Sequence, residues 1–270
     1  MDLQTFSDIA PQIASDPGLP ERAIRGEGTD EATWLDWPGM ARLPALDLAT
    51  WLPANCRLVV VAPHPDDEVL ACGGLLARHA GQGGDSLVIA VSDGEASHGD
   101  RDPWPAEVLG PVRRSESDAG LARLGVSPAA VVRLGLPDGQ IARHEGALQV
   151  RLAALLRASP VPDLVISTWS QDGHPDHEAC GRAAEAAARQ LGCRFAAAPV
   201  WMWHWARPDD ARVPWQRLHA LPLAIAPRAA KLQALAAHSS QLTPRPGDEL
   251  PVLGEQIIAR AGRHAEFFFC

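Results

Sequence analysis

The sequence predicts an α/β fold, a Rossmann-like three-layer sandwich with a mostly parallel sheet, plus a small C-terminal region of strand and helix. Three observations carry that expectation. Apolar, β-favouring runs at residues 58–62 and 163–169 each stop at a polar turn and pass straight into a helical pattern. Two more such runs, at 86–92 and 131–136, alternate with helical segments, as in chains that build a parallel sheet from βαβ units. No internal repeat or low-complexity tract breaks the alternation, apart from a bias toward alanine.

Bulk properties bound what such a fold does. At 270 residues the chain is long enough for one sizeable core. The expected organisation is an N-terminal extension, residues 1–50, packed on a main domain, residues 51–270. Within that domain a Rossmann-like core spans 57–195 and a C-terminal part 196–270. Trp34 and Trp37 punctuate the extension and Trp51 follows it directly, more than a loosely ordered tail would carry. A formal charge of −9 argues against nucleic acid or an anionic membrane surface as partner. Cysteines 56, 72, 180, 193 and 270 show no paired spacing, and the odd count points to a reducing, cytoplasmic setting. No apolar run reaches transmembrane length, and Met1-Asp-Leu-Gln-Thr does not read as a signal peptide.

The chemistry concentrates where the first strand ends, in Pro63-His64-Pro65-Asp66-Asp67-Glu68. Two prolines around His64 discourage helix until Asp66 or Asp67 starts one. His64, Asp66 and Asp67 therefore project from the carboxyl end of the strand, the edge where open α/β sheets bind ligands. His64 and Asp67, three apart across a first helical turn, can converge on a borderline cation such as Zn²⁺ and leave Asp66 to take a proton. Alone, an Asp-rich turn also reads as a helix cap. The strand ending at Trp169 repeats the arrangement in Ser170-Gln-Asp-Gly-His174-Pro-Asp-His177, with Pro175 at a position where helices accept proline. Capping needs no histidine, so His-Pro-Asp at two strand ends favours a site.

In this order the HPDDE turn, an Arg-x-x-Glu at Arg113, Leu136-Pro-Asp-Gly139 and His174-Pro-Asp-His177 resemble the PIG-L/LmbE-like family of zinc-dependent N-acetylglucosaminyl (N-acyl) deacetylases. The likeness is close over residues 57–181 and weaker at 231–241 and 263–268. It implies that His64, Asp67 and His177 hold the metal and that Asp66 is the general base. It also implies that His174 stabilises the oxyanion or protonates the leaving amine, with Asp176 orienting or tuning it. The implied substrate is a small N-acyl amino sugar or glycoconjugate, such as an N-acetylglucosamine conjugate. Three protein ligands leave a coordination position open, the mark of a catalytic site, and a water bound there has its pKa lowered to about 7. Asp66 beside a cation is expected to stay ionised, and His174 beside Asp176 to be held protonated. Zn²⁺ is the expected cofactor, with Fe²⁺ or another divalent cation suited to the same donors. One feature departs from some relatives, which carry a tyrosine just before the second motif. This chain has no tyrosine, and Asp172 stands two residues ahead of His174.

The remaining elements follow in order. A helix to about residue 80 and a Gly-rich turn lead to the strand at 86–92, whose end brings Glu95, Ser97 and His98 to the same sheet edge as pocket-lining candidates. Trp104, in the loop at 100–105, is a candidate lid. A helix opening at Arg113 begins with positive charge against its dipole, so one of Arg113 and Arg114 is expected to have an external partner; the resemblance implies that Arg113 contacts substrate, and a salt bridge with Glu116 is the alternative. Asp138, at the end of the strand at 131–136, either binds sugar hydroxyls or makes the turn. A helix around 148–158 leads to the second motif. Val200-Trp-Met-Trp-His-Trp205 reads as a strand with Trp201, Trp203 and Trp205 on one face, either stacking on a sugar or filling the core, and His204 on the other; the resemblance implies that this strand leaves the sheet near the metal, which makes His204 a candidate to bind substrate or support a metal ligand. A helix at 228–237 and an apolar strand at 263–269 end the chain.

Rival classes lack their signatures. The first turn has neither G-x-G-x-x-G nor G-x-x-x-x-G-K, and no G-x-S-x-G marks a serine nucleophile. A non-catalytic sugar-binding domain of the same fold would be expected to have lost ligands or base, which this chain keeps. Hydrolysis of a non-sugar amide or a longer N-acyl chain stays open within the enzyme class.

Overall fold

Runs such as Leu58-Val-Val-Val-Ala62 are apolar on both faces, which suits strands sandwiched between helices. In the computed structural model, which describes residues 22–270 except 25, 54, 100–103, 159 and 245–249, such runs form one seven-stranded sheet. Its strands are β1 (Arg57–Ala62), β2 (Asp85–Ser92), β3 (Val131–Leu136), β4 (Leu164–Thr168), β5 (Arg194–Ala198), β6 (Leu218–Pro222) and β7 (Ala265–Phe269). They lie in the order β3-β2-β1-β4-β5-β7-β6, the first five mutually parallel and β7 antiparallel to both β5 and β6.

The helices are α1 (Glu31–Leu35), α2 (Leu48–Trp51), α3 (Asp67–Gly81), α4 (Ala106–Arg123), α5 (Glu145–Arg157), α6 (Pro175–Leu191), α7 (Met202–Trp205), α8 (Ile225–Leu235), α9 (Ser239–Leu242) and α10 (Glu255–Ala261). One face of the sheet, through Leu58 and Val60, packs on Leu75, Leu76, Leu121 and Leu235 from α3, α4 and α8. The other, through Val59, Val61 and Ile89, packs on Leu148, Leu152, Ala183 and Ala187 from α5 and α6. The result is the expected three-layer arrangement. Strand order reverses between β1 and β4, so the turns that follow these two strands open on one crevice, the usual ligand position in such sheets.

The C-terminal part differs from the sequence reading. Residues 201–205 are not a strand: three backbone N–H groups, of Val200, Trp201 and Met202, donate to the Asp172 carboxylate at 2.9 Å, and the chain turns into the short helix α7. The tryptophans consequently point in different directions. Trp203 enters the core against Trp34 at 5.0 Å, while Trp205 stacks on Trp169. The strand neighbouring β4 is instead Arg194–Ala198, whose alanines have little β preference of their own and are held by pairing on both sides. Residues 26–53 lie against this region: Glu31 makes a two-pronged ion pair with Arg263 at 2.7 and 2.5 Å, and Trp37 meets Trp215 at 4.7 Å. Residues 1–21 of the expected extension lie outside the described residues.

Helix α3 breaks at Cys72, whose φ and ψ of −150° and 29° are not helical. The break frees the N–H groups of Gly74 and Leu75 and the carbonyl of Leu70. Glu266 accepts from both N–H groups at 2.7 and 2.9 Å, and Lys231 donates to the carbonyl at 2.9 Å and to Glu266 at 2.8 Å. The only lysine of the chain thus staples the helix that carries the HPDDE turn to β7 and α8. Replacing it with methionine leaves the Glu266 charge buried and alone. Lys231→Met is therefore expected to lose about 3–5 kcal/mol of unfolding free energy in a denaturant titration, and a loss below about 1 kcal/mol would contradict this role.

Candidate active site

The turn after β1 and the first turn of α6 after β4 face one another across the crevice. Asp67 stands between them. Its Oδ2 lies 3.1 Å from His64 Nδ1 and 3.2 Å from His177 Nε2, and these three atoms all fall within 4.8 Å of one another. The far nitrogen of each ring is also engaged. His64 Nε2 faces Asp138 Oδ1 at 3.1 Å and Asp176 Oδ2 at 3.3 Å, and His177 Nδ1 faces Asp172 Oδ2 at 2.8 Å. A ring proton held by a carboxylate on the outer side leaves a lone pair on the inner side, the usual support for a metal-binding histidine. Two imidazole nitrogens and one carboxylate oxygen, all buried and converging, fit a divalent cation such as zinc.

The electrostatics agree. Burial opposes charge on both histidines. Even so, Asp138, Asp176 and Asp67 raise His64 well above the usual imidazole range, and Asp67 and Asp172 bring His177 to about 9. Burial likewise opposes ionisation of Asp67, yet the two rings hold it far below the usual carboxylate range. Protons on the rings thus balance the carboxylates in the metal-free chain.

Asp66 points away from this trio. Its backbone adopts φ 123°, a strained conformation for a non-glycine residue, and its N–H donates to Glu68 Oε2 at 3.1 Å. Its carboxylate accepts from Arg113 Nη2 at 2.9 Å. Burial pushes the Asp66 carboxyl up to about 7, with Asp67 and Glu68 adding and Arg113 opposing. Arg113 lies within α4, not at its start as expected, and also donates to the carbonyls of Gly94 and Pro65 at 2.8 and 2.6 Å. Gly94, with φ 67°, leaves room for that guanidinium where a side chain would overlap it. Glu116, the other partner considered for Arg113, accepts from Ser239 and Ser240.

His174 caps α6, its Nδ1 accepting the Asp176 N–H at 3.2 Å. Burial, then the charges of His177 and His64, lower it to about 3, so the ring is neutral where the sequence suggested a cation. An Asp176 carboxylate oxygen lies within 4.8 Å of a His174 ring nitrogen, but its hydrogen bonds go elsewhere. It accepts from the Gly139 and Ile141 N–H groups at 2.7 and 2.9 Å and faces His64. Asp138, which also accepts the Ala96 N–H at 2.9 Å, stands behind His64 in the same way.

A cavity of about 260 Å³ opens over these groups, its lining made of polar residues such as Asp66, Arg113, Asp138, His174 and Gln241 and apolar ones, Leu70, Trp201, Val252 and Leu253. Glu95 and His204 are not among its walls. Glu95 accepts the Asp138 N–H at 2.9 Å, and His204 sits edge-on behind Trp201, its carbonyl accepting the Thr29 N–H. Ser97 lines the cavity, and His98 contacts Trp104 behind it, ring centroids 6.0 Å apart; residues 100–103 of the candidate lid lie outside the described residues. Sequence reasoning noted Asp172 only as the residue two places ahead of His174 and gave it no partner, whereas its carboxylate faces His177.

A three-donor cation site at the switch point of a Rossmann-ordered sheet, with a separate carboxylate beside it, is the frame of a metal-assisted hydrolase. Residues 59–188 match the family model of PIG-L, GlcNAc-PI de-N-acetylase. The chain is 29% identical over 183 residues to the 1D-myo-inositol 2-acetamido-2-deoxy-alpha-D-glucopyranoside deacetylase of Rhodococcus opacus (strain B4), covering 59% of this chain but only 58% of that protein. To the protein of the same name from Rhodococcus erythropolis (strain PR4) it is 26% identical over 255 residues, covering 75% of this chain and 86% of the relative. The fold is shared with a deacetylase of teicoplanin biosynthesis at TM-score 0.62 and 21% identity, covering 79% of this chain and 96% of the other. A zinc-inhibited form of teicoplanin deacetylase Orf2 gives 0.60 and 21%, covering 79% and 97%.

The raised ring pKa values carry a sign. Below about 9 the metal-free His177 holds a proton that a cation must displace, and His64 holds another. Apparent zinc affinity is therefore expected to rise with pH, roughly tenfold or more per unit between about pH 6 and 8, in competition against a chromophoric chelator. A pH-independent affinity would contradict the ring assignment.

Proposed function

We propose that this protein is a metal-dependent amide hydrolase that removes an N-acetyl or other N-acyl group from an amino-sugar conjugate of the N-acetylglucosamine type. The observation that carries this reading is the convergence of His64, Asp67 and His177 beside a separate buried carboxylate, Asp66, on one cavity. Relatives that deacetylate a 2-acetamido-glucopyranoside of inositol support the amino-sugar class. Zinc is the proposed ion on its imidazole and carboxylate donors, and the same donors accept Fe²⁺. Among the described residues no helix is long and apolar enough to cross a membrane, and five free cysteines favour a reducing, cytoplasmic setting.

The ion, when bound, supplies a Lewis acid that acidifies a water and polarises an amide carbonyl. Asp66 takes the water's proton: its carboxyl titrates near neutrality, as suits a general base, and Arg113 fixes its orientation. His174 has its Nδ1 occupied by a backbone N–H, so its neutral ring carries the proton on Nε2, free to donate to the oxygen that gains charge. The proton collected by Asp66 then goes to the departing amine. Asp138 and Asp176 keep the His64 ring turned inward.

The apolar wall of Leu70, Trp201, Val252 and Leu253 supports a second reading, in which the acyl group is longer than acetyl or the aglycone is apolar. A panel of N-acetylated and N-acylated glucosamine conjugates separates the two. On the best of them, Asp66→Asn is expected to retain zinc and lose about 10²–10⁴-fold in kcat. Loss of zinc along with activity would contradict the assignment of Asp66 as base, and no acyl release from any panel member by the zinc-loaded wild type would contradict the function.

A further inference from the structure

We propose that Asp172 is a positioning residue that fixes His177 as a metal ligand and, with the same carboxylate, holds Trp201 in the wall of the cavity. This rests on the metal-site reading above. Asp172 is completely buried. Its Oδ2 receives the His177 Nδ1 proton at 2.8 Å and the Trp201 N–H at 2.9 Å, and its Oδ1 receives the Val200 and Met202 N–H groups, each at 2.9 Å. Four donors on one carboxylate fill its acceptor sites, so neither oxygen can turn without losing partners.

The two halves of this arrangement act on different things. The bond to His177 keeps a proton on Nδ1 and leaves Nε2, which faces Asp67, as the nitrogen that gives up its proton to a cation. The three backbone bonds start the turn 200–202, whose Trp201 lines the same cavity as His174. The main chain of the same segment is tied down separately. The Asp172 carbonyl accepts from Trp205 Nε1 at 2.7 Å, and Gly173, at φ 95°, lies where a side chain would strike Trp205. A carboxylate that served only the turn would not need the imidazole, and one that served only the imidazole would not need three backbone amides. Metal loading and the fit of substrate against Trp201 therefore share one anchor.

Asp172→Asn tests this, because an amide keeps the shape but places an N–H₂ where an acceptor is needed. Zinc affinity, measured with the metal alone against a chromophoric chelator, is expected to fall about 10–100-fold. The ¹⁹F resonance of Trp201 in 5-fluorotryptophan-labelled protein, identified by its loss in Trp201→Phe, is expected to move. Wild-type zinc affinity in a folded Asp172→Asn protein, or an unmoved Trp201 resonance, overturns the proposal. Should that variant fail to fold, the zinc-loaded wild type decides: a slowly exchanging Nδ1 proton on the His177 ring, in ¹H–¹⁵N spectra of the imidazoles, is the expected result, and its absence overturns the proposal. A wild-type chain that takes up no zinc refutes the metal site itself. A wild type that binds zinc but cleaves no amide refutes the proposed function and leaves Asp172's role standing.

Discussion

Asp67 holds a negative charge in a fully buried position, and its neighbours are arranged to make that charge tolerable. A lone buried carboxylate would take up a proton. Here two imidazoles, His64 from the turn after β1 and His177 from the helix after β4, approach the same oxygen. Each imidazole is in turn backed by carboxylates, Asp138 and Asp176 behind one and Asp172 behind the other. The alternation of acid and base across the crevice leaves every charge with a neighbour of opposite sign. It also gives a cation two bare ring nitrogens and one carboxylate oxygen once the inner protons have left.

The sheet order makes this meeting possible. β1 and β4 are far apart in sequence, yet they are adjacent in the sheet, and the chain leaves them in opposite lateral directions. The strain at Asp66 belongs to the same design: a backbone turned to φ 123° separates its carboxylate from that of its neighbour Asp67, so that one serves the ion and the other the proton. Arg113 and Glu68 hold that conformation from two sides. At the far side of α3, Lys231 and Glu266 satisfy the backbone groups that the helix break exposes, so the turn rests on a helix fixed in place by the C-terminal strand.

The parallel core was legible because strands apolar on both faces, each followed by a helix, leave few alternatives, and His-Pro-Asp at two strand ends marked the crevice directly. What was not legible depended on long-range partners. Arg194–Ala198 has a composition that reads as helix, and only pairing with β4 and β7 makes it a strand. Residues 200–205 alternate as a strand should, but a carboxylate thirty residues upstream collects their N–H groups and bends them into a helical turn. The site showed the same division. The convergence of His64 and Asp67 could be read from spacing and that of His177 from the family resemblance, whereas the carboxylates of Asp138, Asp176 and Asp172 were visible as residues without their true partners being visible. His174 was expected to be charged because Asp176 is its near neighbour in sequence, but burial and the charges of His177 and His64 outweigh that carboxylate, whose hydrogen bonds go to Gly139, Ile141 and His64.

The central claim is that two strand ends assemble one cation site, and the metal content of the purified protein tests it most directly. Elemental mass spectrometry is expected to find about one equivalent of zinc or iron per chain, lost in His64→Ala and equally in His177→Ala, since neither strand end holds the ion without the other. A wild-type chain without metal that cannot be reconstituted, or a single-histidine variant that keeps its full equivalent, would contradict the account.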